Sequence, residues 1–105
     1  MNDVLDKTGT IGAAWGHSSM VHFVVGQDCP RPSDIEWESD FPPPRLTGLR
    51  NVSLAFTQAM VNRGVQFMSA GFSGFVSTAH SEQDIEDCLA AFEGAIGDVK
   101  AAGLL

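Results

Sequence analysis

The first quarter of the chain shows a short helical pattern followed by strand-like runs. Residues 2–8 have the spacing of a last helical turn that ends at Gly9, a residue able to adopt the left-handed conformation. Residues 10–15 and 19–26 have strand character, and Gly16-His17-Ser18 between them suits a tight connection. This region therefore predicts a short helix and a β-hairpin.

The apolar positions of residues 47–63 recur at the spacing of an α-helix. The side chains expected on its buried side are Leu49, Val52, Phe56, Ala59 and Met60. Ser53 is among the residues expected to face mostly outward. Asn62-Arg63-Gly64-Val65 is a helix-stop signal, because a basic last turn is followed by a glycine and then by an apolar residue.

Two short strands and a second long helix are predicted after this stop signal. Residues 65–68 and 74–77 have strand character around a glycine-containing bend. Ser81 is expected to cap the final helix, and Asp84 is expected to complete a capping box. The expected buried stripe of that helix is Ile85, Leu89, Phe92, Ile96 and Val99, with Cys88 and Ala95 at its edge.

Residues 27–46 contain all five prolines and predict a long loop, because proline lacks an amide donor and disfavours helix in the preceding residue. Trp37 and Phe41 are expected to anchor this loop. After the first short helix, the order of elements is strand, strand, helix, strand, strand, helix. That order predicts a single α+β domain over residues 1–105, in which helices cover one face of a small antiparallel sheet.

Composition and charge restrict the class of partner. The 105 residues are 44% hydrophobic and 18% charged, which is typical of a globular chain. Six basic and thirteen acidic residues give a formal charge of −7, and this balance repels nucleic acid and anionic membranes. The N-terminus lacks the pattern of a signal peptide, and no apolar run approaches the ~18 residues of a membrane span. We therefore expect a soluble, cytoplasmic protein.

The residues capable of chemistry have simpler structural interpretations. Cys29 and Cys88 form no C-x-x-C pair or disulfide framework, and reduced thiols are expected. Gly16-His17-Ser18-Ser19-Met20 lacks the second glycine of G-x-S-x-G, so a hairpin turn is favoured over a nucleophile. His22 lacks the spacing to other ligands that zinc requires, and His80 is expected to form local hydrogen bonds before the helix cap. These residues predict no catalytic, cofactor-binding or metal site.

A specific motif lies in the second half of the chain. Residues 75–85 read F-V-S-T-A-H-S-E-Q-D-I, after the helix stop at Val61-Asn62-Arg63-Gly64-Val65. This segment resembles the C-terminal end of class III pyridoxal-phosphate-dependent aminotransferases, particularly the glutamate-1-semialdehyde aminomutase group, which carries F-x-S-x-A-H-[ST]-x-x-D-I. The run from Gly16 to Phe23 is similar to that family's G-S-M-F strand. The positions that carry the resemblance are Ser19, Met20, Phe75, Ser77, Ala79, His80, Asp84 and Ile85.

The resemblance implies the small domain of a fold-type I enzyme, a domain that closes over pyridoxal phosphate bound by a separate large domain. The Schiff-base lysine, the Asp that pairs with the pyridine nitrogen and the phosphate-binding glycine loop would belong to that large domain. Lys7 and Lys100 match neither the context nor the place of the Schiff-base lysine. A C-terminal domain or fragment that anchors no cofactor and is inactive alone is therefore expected.

One position departs from the aminomutase group, which typically has a glutamate in the sequence F-E-A-G-F. Residues 70–75 read A-G-F-S-G-F, with Ser73 where the acid would stand. The broader class III aminotransferase family is therefore the expected parent.

Two other classes of function are weaker interpretations of the same sequence. The alternative is a stand-alone α+β module that binds a ligand or dimerises, because such folds host many functions. A small hydrolase is disfavoured by the absence of triad spacing. A severed domain is expected to expose an apolar patch, and so to form a homo-oligomer or to bind the missing large domain.

Overall fold

The computed structural model describes residues 1–31, 50–68 and 73–105. The elements in chain order are α1 (Asn2–Thr8), β1 (Gly12–His17), β2 (Met20–Val25), α2 (Arg50–Val61), β3 (Ser73–Phe75) and α3 (Glu82–Ala101). β2 lies in the middle of an antiparallel sheet, with β1 on one side and β3 on the other. The predicted α+β fold with a small antiparallel sheet is confirmed.

One apolar core joins the sheet to all three helices. The ring centroid of Phe23 in β2 lies 5.8 Å from that of Phe56 in α2 and 5.3 Å from that of Phe92 in α3. The tilted and edge-on arrangements of these rings are favourable aromatic geometries. Leu5 of α1 and Met60 of α2 are fully buried in the same cluster. The three helices therefore cover one face of the sheet, as the order of elements predicts.

The β1–β2 hairpin has a tighter turn than the sequence predicts. Gly16 pairs with Val21 and His17 pairs with Met20, so Gly16 and His17 belong to β1. The prediction that these two residues form the connection is wrong. Ser18 has φ 54°, in the left-handed region, and this conformation allows a two-residue turn whose twist matches that of the strands.

All three helices end in the same hydrogen-bonded motif around a glycine. After α2, Gly64 adopts φ 82° and the amide of Val65 donates to the carbonyl of Met60 over 3.0 Å. Gly9 closes α1 and Gly103 closes α3 with equivalent bonds. This arrangement satisfies backbone carbonyls that a helix end leaves unpaired, and a glycine takes the positive φ without steric cost. The predicted stops at Gly9 and Gly64 are confirmed.

The second half of the sheet is shorter than predicted. Residues 65–68 do not form a strand, because the amide of Val65 is used to close α2 and only Met68 forms an isolated bridge, with Ser73. The strand predicted at 74–77 covers residues 73–75 instead. The amide of Val76 still donates to the Ser19 carbonyl over 2.8 Å, and the backbone turns at residues 77–80.

The boundaries and faces of α2 also differ from the prediction. The helix ends at Val61 and not at residue 63, because the residues after Val61 form the closing turn. Ser53 is only 4% exposed, so the prediction that it faces outward is wrong. α2 packs against α3 as well as against the shared core, and its buried face is therefore wider than a single apolar stripe.

Some predictions concern residues outside those described: the start of the helix at residue 47, Leu49, and the loop anchors Trp37 and Phe41. Across residues 1–31, 50–68 and 73–105, no helix is both long and apolar enough to cross a membrane. The same ranges contain no group of three or more His, Cys, Asp or Glu side chains placed to hold a metal ion.

The outer edge of β1 is covered by one side chain of α1. The Asn2 Nδ2 atom donates to the Ala14 carbonyl, and the Asn2 Oδ1 atom accepts from the Ala14 amide, each over 2.8 Å. These two bonds replace those that a neighbouring strand would make with Ala14. At this position a single side-chain carboxamide makes the two hydrogen bonds that a backbone strand would otherwise make.

Candidate docking groove

An open groove of about 660 Å³ lies at one end of the molecule. It is bounded by the first turns of α3, by the segment 63–67 that follows α2, and by β3 with Val76. Its volume falls within the range of about 300–1,000 Å³ that is common for ligand sites. We define this feature as the docking groove.

One wall of the groove is the part of α3 that extends beyond the core. The side chains of residues 81–87 are all exposed, whereas Phe92 and Ile96 are fully buried. Ile85 is 38% exposed, so its prediction as part of the buried stripe is wrong. Helical spacing directs Ile85 toward the same side as Phe92, but the described chain leaves that part of α3 uncovered. Cys88 and Leu89 are half-buried between the exposed and buried parts.

β3 and the segment after α2 form an apolar side of the groove. A Cβ on Gly74 would lie 2.7 Å from the Phe67 Cδ1 atom, so the missing side chain allows the ring to pack against the strand. Phe67 in turn lies edge-on to Phe23, with 4.8 Å between their ring centroids. Val76 is 39% exposed at this side of the groove, whereas Phe75, which is 52% exposed, pairs with Met20 and alternates to the other face of the sheet. The groove thus has a packed floor and an apolar side that the described residues leave uncovered.

The first turn of α3 is fixed by the predicted capping box. The Ser81 Oγ atom accepts from the Asp84 amide over 3.2 Å, and the Asp84 Oδ2 atom accepts from the Ser81 amide over 2.7 Å. The backbone and side-chain hydrogen bonds from Ser81 lower the pKa of the Asp84 carboxyl below its ordinary value. The capping-box prediction is confirmed, and it fixes the position of an ionised carboxylate beside the groove.

His80 forms local hydrogen bonds in the turn between β3 and α3, as predicted. Its Nδ1 atom accepts from the Ser77 amide over 3.0 Å, and its own amide donates to the Ser77 carbonyl over 3.0 Å. A neutral ring that accepts at Nδ1 carries its proton at Nε2. The Ala79 amide donates to the Ser77 Oγ atom over 3.3 Å. The ring therefore serves to fix the turn that leads into Ser81.

Arg63, in the segment that follows α2 and lines the groove, links the end of α2 to α3. Its Nη1 atom donates to the Asp98 Oδ2 atom over 2.6 Å and to the Ala59 carbonyl over 3.0 Å. The side chain crosses Gly94, where a Cβ would lie 2.5 Å from the Arg63 Nε atom. The hydrogen bond between the two groups raises the pKa of Arg63 and lowers the pKa of Asp98. Because both are exposed to solvent, the pair positions the chain more than it stabilises the fold.

The residues that carry the family resemblance meet at one corner of the molecule. Phe75, His80, Asp84 and Ile85 line the docking groove. Ser77 and Ala79 belong to the turn that His80 fixes. Met20 pairs with Phe75 across the sheet, and the Ser19 carbonyl accepts from the amide of Val76 over 2.8 Å. Positions separated by more than fifty residues in sequence thus become neighbours.

The other candidate residues lie elsewhere. Ser18 occupies the hairpin turn, and the backbone of His17 belongs to the adjoining strand. His22 stacks on Trp15, with 5.6 Å between ring centroids and 25° between ring planes. His22 therefore packs on the sheet face that lies opposite the helices, consistent with the prediction of a packing or solvent-facing role.

The two lysines and two cysteines are located away from any shared reactive centre. Lys7 forms an ion pair with Glu93 over 2.7 Å, and the Lys100 amine donates to the Thr8 carbonyl at the end of α1. Cys29 and Cys88 are free thiols, and burial raises the pKa of both. A raised thiol pKa reduces the thiolate fraction, and with it the nucleophilic reactivity.

Two functional features were not predicted from the sequence. The uncovered part of α3 carries the same apolar spacing as the buried part, so spacing alone gives no signal that Ile85 is exposed. The contact between Arg63 and Asp98 is indicated only weakly by the sequence, through the glycine at position 94 within the final helix. A small residue inside a helix often marks the close approach of another group.

Comparison with known proteins does not identify a family for this chain. No protein-family model matches the sequence, and no curated protein matches it at a significant level. The interpretation of the docking groove therefore depends on the chain's own residues.

Proposed function

We propose that this chain is the C-terminal small domain of an aminomutase-like class III aminotransferase and that it functions by packing against a cofactor-bearing large domain. One observation carries the proposal: the segment that resembles the family also forms part of the walls of an open apolar groove. A domain interface requires apolar side chains that the isolated domain leaves exposed. Phe75, Val76 and Ile85 meet that requirement.

The residues of the chain do not fit a pyridoxal phosphate site of their own. The cofactor needs an amine for its aldehyde and positive or amide groups for its phosphate. The chain has only Lys7 and Lys100, and each is held by a contact between α1 and α3. Asp84 and Asp87 line the groove and would repel a phosphate. Cofactor chemistry would therefore belong to the large domain, and we derive no reaction step for this chain.

The proposal includes the location and the assembly of the protein. Class III aminotransferase chemistry, with free thiols at Cys29 and Cys88, suits the cytoplasm. The large domain would cover the docking groove. Where that domain is absent, a second copy of the chain would use the same apolar side chains to form a homo-oligomer.

The proposal is tested with the purified chain and pyridoxal phosphate. We expect no imine absorption band, no turnover of amino donors and no stoichiometric adduct after borohydride reduction. The matched controls are Lys7→Arg and Lys100→Arg, each of which keeps the positive charge but removes the amine that could form an imine. A stoichiometric adduct that disappears in one of these variants would overturn the proposal that the chain is inactive alone.

A second candidate, a stand-alone binding module, is favoured by one observation. Leu5, Phe23, Phe56 and Phe92 form a core that is closed without help from another domain. Sedimentation velocity separates the two candidates. A concentration-dependent homo-oligomer that Ile85→Ser weakens supports the severed domain. A monomer at all concentrations, also at high ionic strength where the repulsion between copies is screened, supports the independent module.

A further inference from the structure

We infer that the docking groove binds an amphipathic polypeptide segment in which Lys or Arg side chains flank the apolar ones. The inference rests on the proposed function, because it names the chemistry of the surface that the large domain would present. Two features of the docking groove support it: an apolar side that the described residues leave uncovered, and a rim of carboxylates.

The apolar part of the groove has no cover in the described chain. Val76 is 39% exposed and Ile85 is 38% exposed, and both residues line the groove. Helical spacing places Ile85 on the side of α3 that is buried two turns later, at Phe92. An apolar surface rimmed by polar residues is typical of sites that bind another protein surface. The occupant must therefore provide apolar side chains of its own.

The charges around the groove determine which apolar segment it accepts. Asp84 and Asp87 line the groove, and Glu82 and Glu86 are exposed on the same two turns of α3. The guanidinium of Arg63 is already paired with Asp98. The rim beside α3 is thus predominantly negative, and complementary occupants carry Lys or Arg.

A second copy of the chain complements this rim poorly. A two-fold contact brings the same surface patch of each copy together, so the acidic turns of α3 would lie near each other. The formal charge of −7 adds a repulsion over longer range. Salt screens the repulsion between two copies, and it also screens the attraction between the acidic rim and a basic segment. Self-association should therefore increase with ionic strength, whereas binding of a basic segment should decrease.

The probe is a short synthetic peptide of alternating Leu and Lys, added to the full chain and followed by fluorescence anisotropy. Two matched peptides separate charge from apolar content: one replaces Lys by Glu, and the other replaces Leu by Ser. We expect measurable binding of the Leu and Lys peptide only. Its affinity should fall as salt is added.

Paired variants locate the site on the protein. Ile85→Ser should weaken binding about tenfold, the effect expected for losing one buried aliphatic side chain. Its control is Leu54→Ser, since Leu54 is 51% exposed on α2 and lies outside the groove. Asp87→Asn should weaken binding about two- to fivefold, the range of an exposed ion pair. Asp3→Asn is its control, because it removes the same charge from the exposed face of α1.

Each outcome supports or overturns the inference. Equal binding of the Leu and Glu peptide would overturn the charge argument, and an unchanged affinity for Ile85→Ser would overturn the location. A stable dimer at low salt that excludes the peptide would identify a second copy as the occupant. The lysine test of the proposed function is independent of these results. Peptide binding together with a lysine adduct would support the docking groove as a binding site and overturn the proposed function. If neither peptide binding nor a lysine adduct is observed, the inference about the groove is overturned and the proposed function stands.

Discussion

The two halves of α3 have similar apolar spacing but different surroundings. In the second half, Phe92, Ile96 and Val99 are at most 1% exposed. In the first half, Ile85 is 38% exposed on the same side of the helix. The second half is held by packing, whereas the first half is held by the hydrogen bonds of the Ser81 capping box. Spacing indicates which side of a helix is suited to burial, but the neighbouring elements determine how much is buried.

The largest expected difference between the halves comes from removing one apolar side chain in each. Phe92→Ala should lower the free energy of unfolding by about 3–5 kcal/mol, because it leaves a cavity between Phe23 and Phe56. Ile85→Ala should lower it by about 1 kcal/mol or less, because the side chain is already partly solvated. Urea denaturation measures both values. Similar losses would show that the first half is packed as tightly as the second.

The capping box provides the next largest effect. Ser81→Ala should lower the free energy of unfolding by about 0.5–2 kcal/mol, since it removes the acceptor for the Asp84 amide. Hydrogen exchange should accelerate in the first turn of α3 and remain unchanged around Phe92. The conservative control is Ser81→Thr, which retains a capping hydroxyl. Faster exchange throughout the helix would contradict the division into two halves.

Two glycines in the second half of α3 test the contact with α2. Gly97 has open space around it, so Gly97→Ala should raise the free energy of unfolding by about 0.5–1 kcal/mol through helix propensity. Gly94→Ala should gain less or lose stability, because its Cβ would displace the Arg63 side chain. Thermal denaturation of the two variants gives the comparison directly. An equal gain at both positions would show that the link between Arg63 and Asp98 adjusts freely.

The smallest expected effect is the loss of stability in each half of α3 as the pH is lowered. The pKa of Asp84 is lowered in the folded chain, so its contribution to stability is present above the ordinary carboxyl value of about 4 and is lost as the pH falls through the folded value. Asp98 behaves in the same direction through its bond to Arg63. The Ser81 amide, which donates to the Asp84 carboxylate, should report the titration of Asp84 when it is followed by NMR. The Asp84→Asn variant should remove that response, and an unaltered titration would contradict this assignment.

The sequence predicts elements well where one local signal determines them. The glycine stops at Gly9 and Gly64 and the capping box at Ser81 are confirmed because each depends on residues within one turn. The composition of the segment 65–68 predicts a strand, but a strand also needs a partner to receive its hydrogen bonds. The closing turn of α2 takes the amide of Val65, and the pairing is reduced to Met68.

The candidate site is predicted only in part, for a similar reason. The motif spans residues 75–85, and the fold brings Phe75, Val76, His80, Asp84 and Ile85 to one groove. Met20 pairs with Phe75 across the sheet. Their exposure does not follow from the motif, because exposure depends on which elements lie above them. The buried position of Ser53 has the same origin, since α3 covers a part of α2 that the apolar pattern alone leaves outside.

The carboxamide of Asn2 protects one position of β1 from edge-to-edge pairing. A strand edge with free amides and carbonyls is a template for pairing with another chain. The side chain of Asn2 occupies both the amide and the carbonyl of Ala14. Another chain could pair with β1 at Ala14 only after displacing this side chain.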